Sequence, residues 1–177
     1  KRYMDAGVDG VIVPSVNETE ETIKIVNAIK YPPEGLRGVG FARDNSFGMR
    51  LMERLKDANE QSFICVQIEN MKGLGCIDEI LSVPGVDAAF LGPYDLSASM
   101  GIAGEFDHPD FINALSRFNQ ACKKNSVIAG IHVIQPNPQE VLQRIKDGFQ
   151  MIAYSLDITL LNVLLHEALT VIRKGYL

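Results

Sequence analysis

The sequence predicts an α/β fold, and within that class the C-terminal five βα units of a (β/α)8 TIM barrel. Three observations predict it. Short apolar runs alternate strictly with helical stretches, five times over, which implies parallel strands joined by right-handed crossovers. The runs are apolar almost throughout, as strands are when both faces are covered. The 177 residues hold five such units, whereas a closed barrel needs eight in about 250 residues. A complete five-stranded, flavodoxin-like sheet is the alternative. No GxGxxG follows any run, so a dinucleotide fold has no positive sign.

The chain opens with Lys1–Gly7, which resembles the last turns of a helix ending at a glycine. With no methionine at position 1, it reads as starting inside a larger domain: a single partial barrel over residues 1–177, its N-terminal strands absent. Val8–Val16 is the first strand, with pairing expected to stop near Pro14. Asn17 can cap the next helix, and Glu18, Glu20 and Glu21 suit its positive end. Ile23, Val26 and Ile29 carry its stripe as far as Tyr31, and Pro32-Pro33-Glu34-Gly35 ends it. Leu36–Gly48 is a loop whose Arg37 and Arg43 read as solvated residues in preference to an anion site.

Met49–Asn59 is a helix with Leu51, Met52 and Leu55 turned inward. Phe63–Glu69 is the second strand, followed by a glycine-containing turn at Met71–Gly75 and a short helix at Ile77–Leu81 closed by Pro84-Gly85. Val86–Leu91 is the third strand. His108-Pro109-Asp110 opens a helix running to about Asn125, with Phe111, Leu115, Phe118 and Cys122 on one side. Val127–Ile134 is a strand, Pro136–Lys146 a helix, Phe149–Ser155 a strand, and Ile158–Lys174 a long apolar helix.

Apolar residues make up 46% of the chain and charged ones 22%, ordinary values for a globular protein. The net charge of −5 argues against nucleic acid or an acidic membrane as partner. No apolar run spans a membrane. Cys65, Cys76 and Cys122 lack metal-type spacing and read as reduced thiols of a cytoplasmic protein.

The chemistry-bearing residues lie at predicted strand ends. Along Phe63–Asn70 side chains alternate, so Gln67 and Glu69 share a face and end it with an amide and a carboxylate. The next strand runs into Gly92-Pro93-Tyr94-Asp95. Ends of neighbouring strands are about 4.8 Å apart, so Glu69 and Asp95 can share an ion. Two carboxylates completed by waters and substrate suit Mg²⁺ or Mn²⁺. The bland alternative is a pair of surface acids, with Asp95 capping a short helix at Leu96–Met100. The amides of Tyr94 and Asp95 can receive a substrate carboxylate. His132, near a strand end, reads as a wall histidine before an acid–base group. His108 reads as a surface residue, and His166 as an interface residue on the last helix. Ser97 and Ser99 have no histidine at motif spacing, so a serine hydrolase is unsupported.

Taken together, DAGVDGVIVPSV (Asp5–Val16), YPPEGLRGVG (Tyr31–Gly40), VQIEN (Val66–Asn70), VPGVDAAFLGPYDLSASMG (Val83–Gly101) and LDITLL (Leu156–Leu161) resemble the HpcH/HpaI aldolase family. These are metal-dependent pyruvate aldolases of the phosphoenolpyruvate/pyruvate barrel superfamily. The resemblance implies reversible cleavage of a 4-hydroxy-2-keto acid to pyruvate and an aldehyde. It implies that Glu69 and Asp95 bind the metal (Mg²⁺ or Mn²⁺ first, Co²⁺ or Zn²⁺ as the other candidates) and that Gln67, Gly92, Pro93 and Tyr94 meet the pyruvate. It also implies that Asp5 supports a catalytic histidine. That histidine and a pyruvate-binding arginine lie upstream in the family, on strands this chain does not contain. Position 94 is commonly small in relatives and is tyrosine here. The resemblance further implies a homo-oligomer, a hexamer in relatives, with the last helix exchanged between partners. Two other functions remain open: a related lyase acting on an acyl-CoA ester or phosphonate, and a non-catalytic binding module.

Overall fold

The computed structural model describes residues 1–176. Strands β1 (Gly10–Val13), β2 (Phe63–Ile68), β3 (Ala88–Leu91), β4 (Ile128–Val133) and β5 (Met151–Tyr154) form one sheet in that order, every neighbouring pair parallel. The progression never reverses. A flavodoxin-like sheet must reverse at a switch point, so that alternative falls and the half-barrel stands. β1, β3, β4 and β5 are shorter than their apolar runs, because hydrogen-bond pairing stops before the apolar residues do, whereas β2 covers its run to Ile68.

Helices α1 (Arg2–Asp5), α2 (Thr19–Ile29), α3 (Leu51–Gln61), α4 (Met71–Gly75), α5 (Ile77–Leu81), α6 (Pro93–Ser99), α7 (Pro109–Lys124), α8 (Pro138–Lys146) and α9 (Asp157–Gly175) connect and flank the strands. The core lies on one face of β2–β4, where Val66, Ile68, Ala89, Leu91 and Ile131 meet Ile77 and Ile80 of α5 and Phe111 and Phe118 of α7. Cys65, Ala88 and Phe90 form a smaller cluster. Met4 and Ile64 receive Val26 and Ile29 of α2. Burial pushes the Cys65 and Cys122 thiols up to about 12, which keeps both protonated.

Several expectations are corrected. Asn17 does not cap α2: Glu18 is the N-cap residue, and the Asn17 N–H donates to the Glu21 carboxylate. Met52 points outward, and Ala58 is the buried residue of α3. The glycine-containing turn after β2 is helical, because the Asn70 side chain accepts from the Gly73 N–H and starts α4. Arg37 is buried, 2% exposed. Its guanidinium donates to Asp5 (2.8 Å) and Asp44 (2.6 Å) and lies over the Tyr31 ring. A composition-based reading of the loop could not foresee acids arriving from α1 and from the 3-10 turn Arg43–Gly48. Apart from these corrections, His166 is exposed in the single chain, as is most of α9, which buries no residue. Among the described residues no helix is long and apolar enough to cross a membrane.

Candidate active site

β2 ends at Ile68 and β3 at Leu91, which are register partners. Glu69 and Gly92 therefore leave the sheet side by side. A Cβ on Gly92 would lie 2.9 Å from the Glu69 Cβ and 3.2 Å from the Gln67 Nε2. The φ of Gly92 is an ordinary −93°, so glycine is needed here for close approach and not for a special backbone angle. Gln67 Nε2 donates to Glu69 Oε2 at 2.8 Å. Ser15 Oγ, just beyond the end of β1, donates to Glu69 Oε1 at 2.5 Å. Three consecutive strand ends thus meet at one carboxylate.

Pro93 opens α6, where its missing N–H would be unpaired anyway. The Leu96 N–H donates to the Gly92 carbonyl, so the helix starts earlier than Leu96–Met100. Asp95 then falls inside the first turn, exposed, and is not the cap. The Tyr94 ring meets Phe106 edge-on, centroids 4.9 Å apart, and Phe106 leans on Phe111. Pro93, Tyr94, Phe106, His132 and Gln135 line a cavity of about 90 Å³. His132 Nε2 lies 3.1 Å from the Ser155 carbonyl, which can only accept, so this nitrogen carries the proton. That is the wall position expected of it.

Asp5 is not brought to this site. It sits at the end of α1, on the N-terminal side of the sheet, where the Phe63 N–H donates to the Asp9 carbonyl. Burial raises its pKa, but the hydrogen bonds and charges of Lys1 and Arg37 outweigh that and hold the carboxyl below the usual range.

Among the described residues neither Glu69 nor Asp95 belongs to an ion pair; Glu69 is bonded by two neutral donors. Two acids at neighbouring strand ends without a paired cationic side chain are the donor set a hard divalent cation takes. Among the described residues no three His, Cys, Asp or Glu side chains cluster as a metal site. Glu69 and Asp95 are the two carboxylates here that could hold a hard divalent cation, with water or substrate completing its shell. Sequence reasoning missed Ser15. The test that found Glu69, a polar residue just past an apolar run, would have found it in Pro14-Ser15.

The family model for HpcH/HpaI aldolase/citrate lyase matches residues 1–162. The chain is 35% identical over 162 residues to the hydroxypyruvate/pyruvate aldolase of Roseobacter denitrificans, covering 91% of this chain and 62% of that protein. It is 36% identical over 163 residues to the 4-hydroxy-2-oxo-heptane-1,7-dioate aldolase of Shigella flexneri, covering 91% and 60%. It thus spans about three fifths of the length of these curated relatives. A crystal structure of an HpcH/HpaI aldolase/citrate lyase family protein from Burkholderia cenocepacia superposes with a TM-score of 0.88 at 34% identity, covering 97% of this chain and 68% of that one.

Proposed function

The chain belongs to the HpcH/HpaI aldolase/citrate lyase family, and from that premise we propose that the protein is a metal-dependent aldolase. In this reading it reversibly cleaves a 4-hydroxy-2-keto acid to pyruvate and an aldehyde. The observation that carries it is the Glu69 carboxylate, held by Ser15 and Gln67 beside Gly92 with no cationic side chain among the described residues paired to it. The names of the similar aldolases support the substrate class.

Glu69 and Asp95 would hold the divalent cation, Mg²⁺ or Mn²⁺. When bound, it supplies Lewis acidity to a keto group. Gln67, fixed by its bond to Glu69, would flank the pyruvate. The N–H groups of Tyr94 and Asp95, in the first turn of α6, have no partner within the helix and would receive the carboxylate. Tyr94 would border the aldehyde side, its ring braced by Phe106. Asp5 would support a histidine supplied by another part of the protein; Lys1 and Arg37 each donate to one of its oxygens, which leaves further acceptor directions for that bond.

We place this activity in the complete cytoplasmic protein, where further strands pair with the open edges of β1 and β5. An apolar groove of about 460 Å³ between α1, β1 and α2, lined by Val11, Ile12 and Ile25, supports that at the β1 edge. The exposed leucines of α9 support a homo-oligomer.

The deciding experiment is calorimetric titration of the full-length protein and its Glu69→Gln variant with Mn²⁺, alongside pyruvate release from a panel of 4-hydroxy-2-keto acids with and without chelator. The parent should bind Mn²⁺ and release pyruvate in a chelator-sensitive way. The variant should bind at least about 10-fold more weakly and melt at the parent's temperature or above it, since removing one of two neighbouring like charges relieves repulsion. Parental Mn²⁺ binding and pyruvate release by Glu69→Gln would overturn the reading.

A further inference from the structure

We propose that Ser15 is a positioning residue for Glu69: its hydroxyl fixes the plane of the carboxylate and so decides which lone pairs remain for a cation. The inference rests on the reading of Glu69 as a metal ligand.

Glu69 receives one donor on each oxygen, Ser15 Oγ on Oε1 at 2.5 Å and Gln67 Nε2 on Oε2 at 2.8 Å. A carboxylate has about four acceptor directions. Occupying one on each oxygen, from two different strands, stops rotation about the last side-chain bond and leaves a defined direction free on each oxygen. Gln67 alone would not do this, because it lies on the same strand two residues away and moves with Glu69.

Ser15 is held in place with some strain. Its φ is +55°, the left-handed region that side chains other than Gly, Asn and Asp seldom enter. The surrounding bonds maintain it. Asn17 Nδ2 donates to the Ser15 carbonyl at 2.8 Å, and the Val16 N–H donates to the Gln67 carbonyl at 3.2 Å. Asn70, the N-cap of α4, donates to Asn17 Oδ1 at 2.6 Å. Gly73 of α4 comes so near that a Cβ there would lie 2.6 Å from the Val16 carbonyl.

The end of β5 supplies an internal comparison. Ser155 has the same φ of +55°, yet its hydroxyl is buried without a partner. The left-handed serine therefore recurs at two strand ends, and the bond to an acid is specific to β1. Glycine would take this backbone angle without steric cost, but at position 15, unlike position 155, it would forgo the hydroxyl's bond to an acid.

The test compares Ser15→Gly, Ser15→Ala and Glu69→Gln in the full-length protein, by Mn²⁺ calorimetry and by the thermal midpoint without metal. Both Ser15 variants should weaken Mn²⁺ binding by about 10- to 100-fold, the usual effect of losing a residue that orients a ligand. Ser15→Gly, which relieves the backbone, should melt no lower than the parent. If Ser15→Gly binds Mn²⁺ as the parent does while Glu69→Gln does not, Ser15 has no positioning role. If Glu69→Gln also binds as the parent does, the metal reading itself has failed and this inference goes with it.

Discussion

β3 reads Ala-Ala-Phe-Leu and is buried along its whole length, whereas β5 reads Met-Ile-Ala-Tyr and buries none of its residues. The two are spelled in the same kind of residue. What separates them is position: β3 has a strand on either side and α7 against one face, and β5 closes one edge of the sheet. β1, at the other edge, shows the same contrast, with Ile12 47% exposed. Apolar composition records the packing a strand is built for; burial records the neighbours it has. The candidate site is placed accordingly. Gln67, Glu69 and Gly92 stand at the ends of two interior strands, and Ser15 reaches Glu69 from beyond the edge strand through its hydroxyl.

The sharpest test of the contrast pairs one substitution from each region. Phe118→Ala empties a site that is 0% exposed, where the ring stacks near Phe149 at 6.1 Å. It should cost about 3–5 kcal/mol in denaturant unfolding. Ile12→Ala at the half-exposed edge should cost about 1 kcal/mol or less if nothing covers β1, because little area leaves the interior. A loss of about 2–5 kcal/mol at Ile12 in the full-length protein would show that the edge is filled there, and the contrast would belong to this chain alone.

Smaller effects separate two glycines. At Gly92 a new Cβ meets the Glu69 Cβ at 2.9 Å, so Gly92→Ala should lower stability by about 1–3 kcal/mol. At Gly75, near the end of α4, nothing lies within 4 Å of a new Cβ. Gly75→Ala should be neutral or raise stability by up to about 1 kcal/mol, through a less flexible unfolded chain. Thermal midpoints of both variants check the pair.

The smallest effect is a pH dependence on the N-terminal side of the sheet. Asp5 has a lowered pKa in the fold, so its ionised form favours the folded state. That contribution is complete above the unfolded value of about 3.9 and is lost as pH falls through it and below. Denaturant midpoints measured from pH 6 to pH 3 should fall for the parent, and should fall less steeply for Asp5→Asn. Equal slopes would place the acid sensitivity in other carboxylates.

The five strands were legible because an apolar run flanked by turn residues survives any error in its ends. Helix starts were less so. Asn17 has the right side chain for a cap but spends it on Ser15 and Asn70, a bond between distant segments that spacing cannot reveal. Asp95 was displaced from its expected cap because Pro93 starts the helix three residues sooner than expected. Glu69 and Gln67 were legible as a pair because alternation puts them on one face; their hydrogen bond bears this out. Ser15 carries the same signal as Glu69, a polar residue just past an apolar run, but its bond to Glu69 crosses to a neighbouring strand, which spacing cannot reveal. Arg37 was misjudged for the same reason: its acids lie 32 and 7 positions away.

Arg37 also constrains how the sequence can drift. One guanidinium serves Asp5 and Asp44 and covers the face of Tyr31, with its own side chain 1% exposed. Exchange for lysine would give up the planar group that lies over the Tyr31 ring, and exchange for a neutral residue would strand Asp44, its side chain 2% exposed, without its main counter-charge. Each of these single exchanges therefore lowers stability, although a concerted replacement by apolar residues of similar volume could be neutral. A change at position 5, 31, 37 or 44 is therefore felt by the other three, whereas Arg43, in the same loop, is exposed.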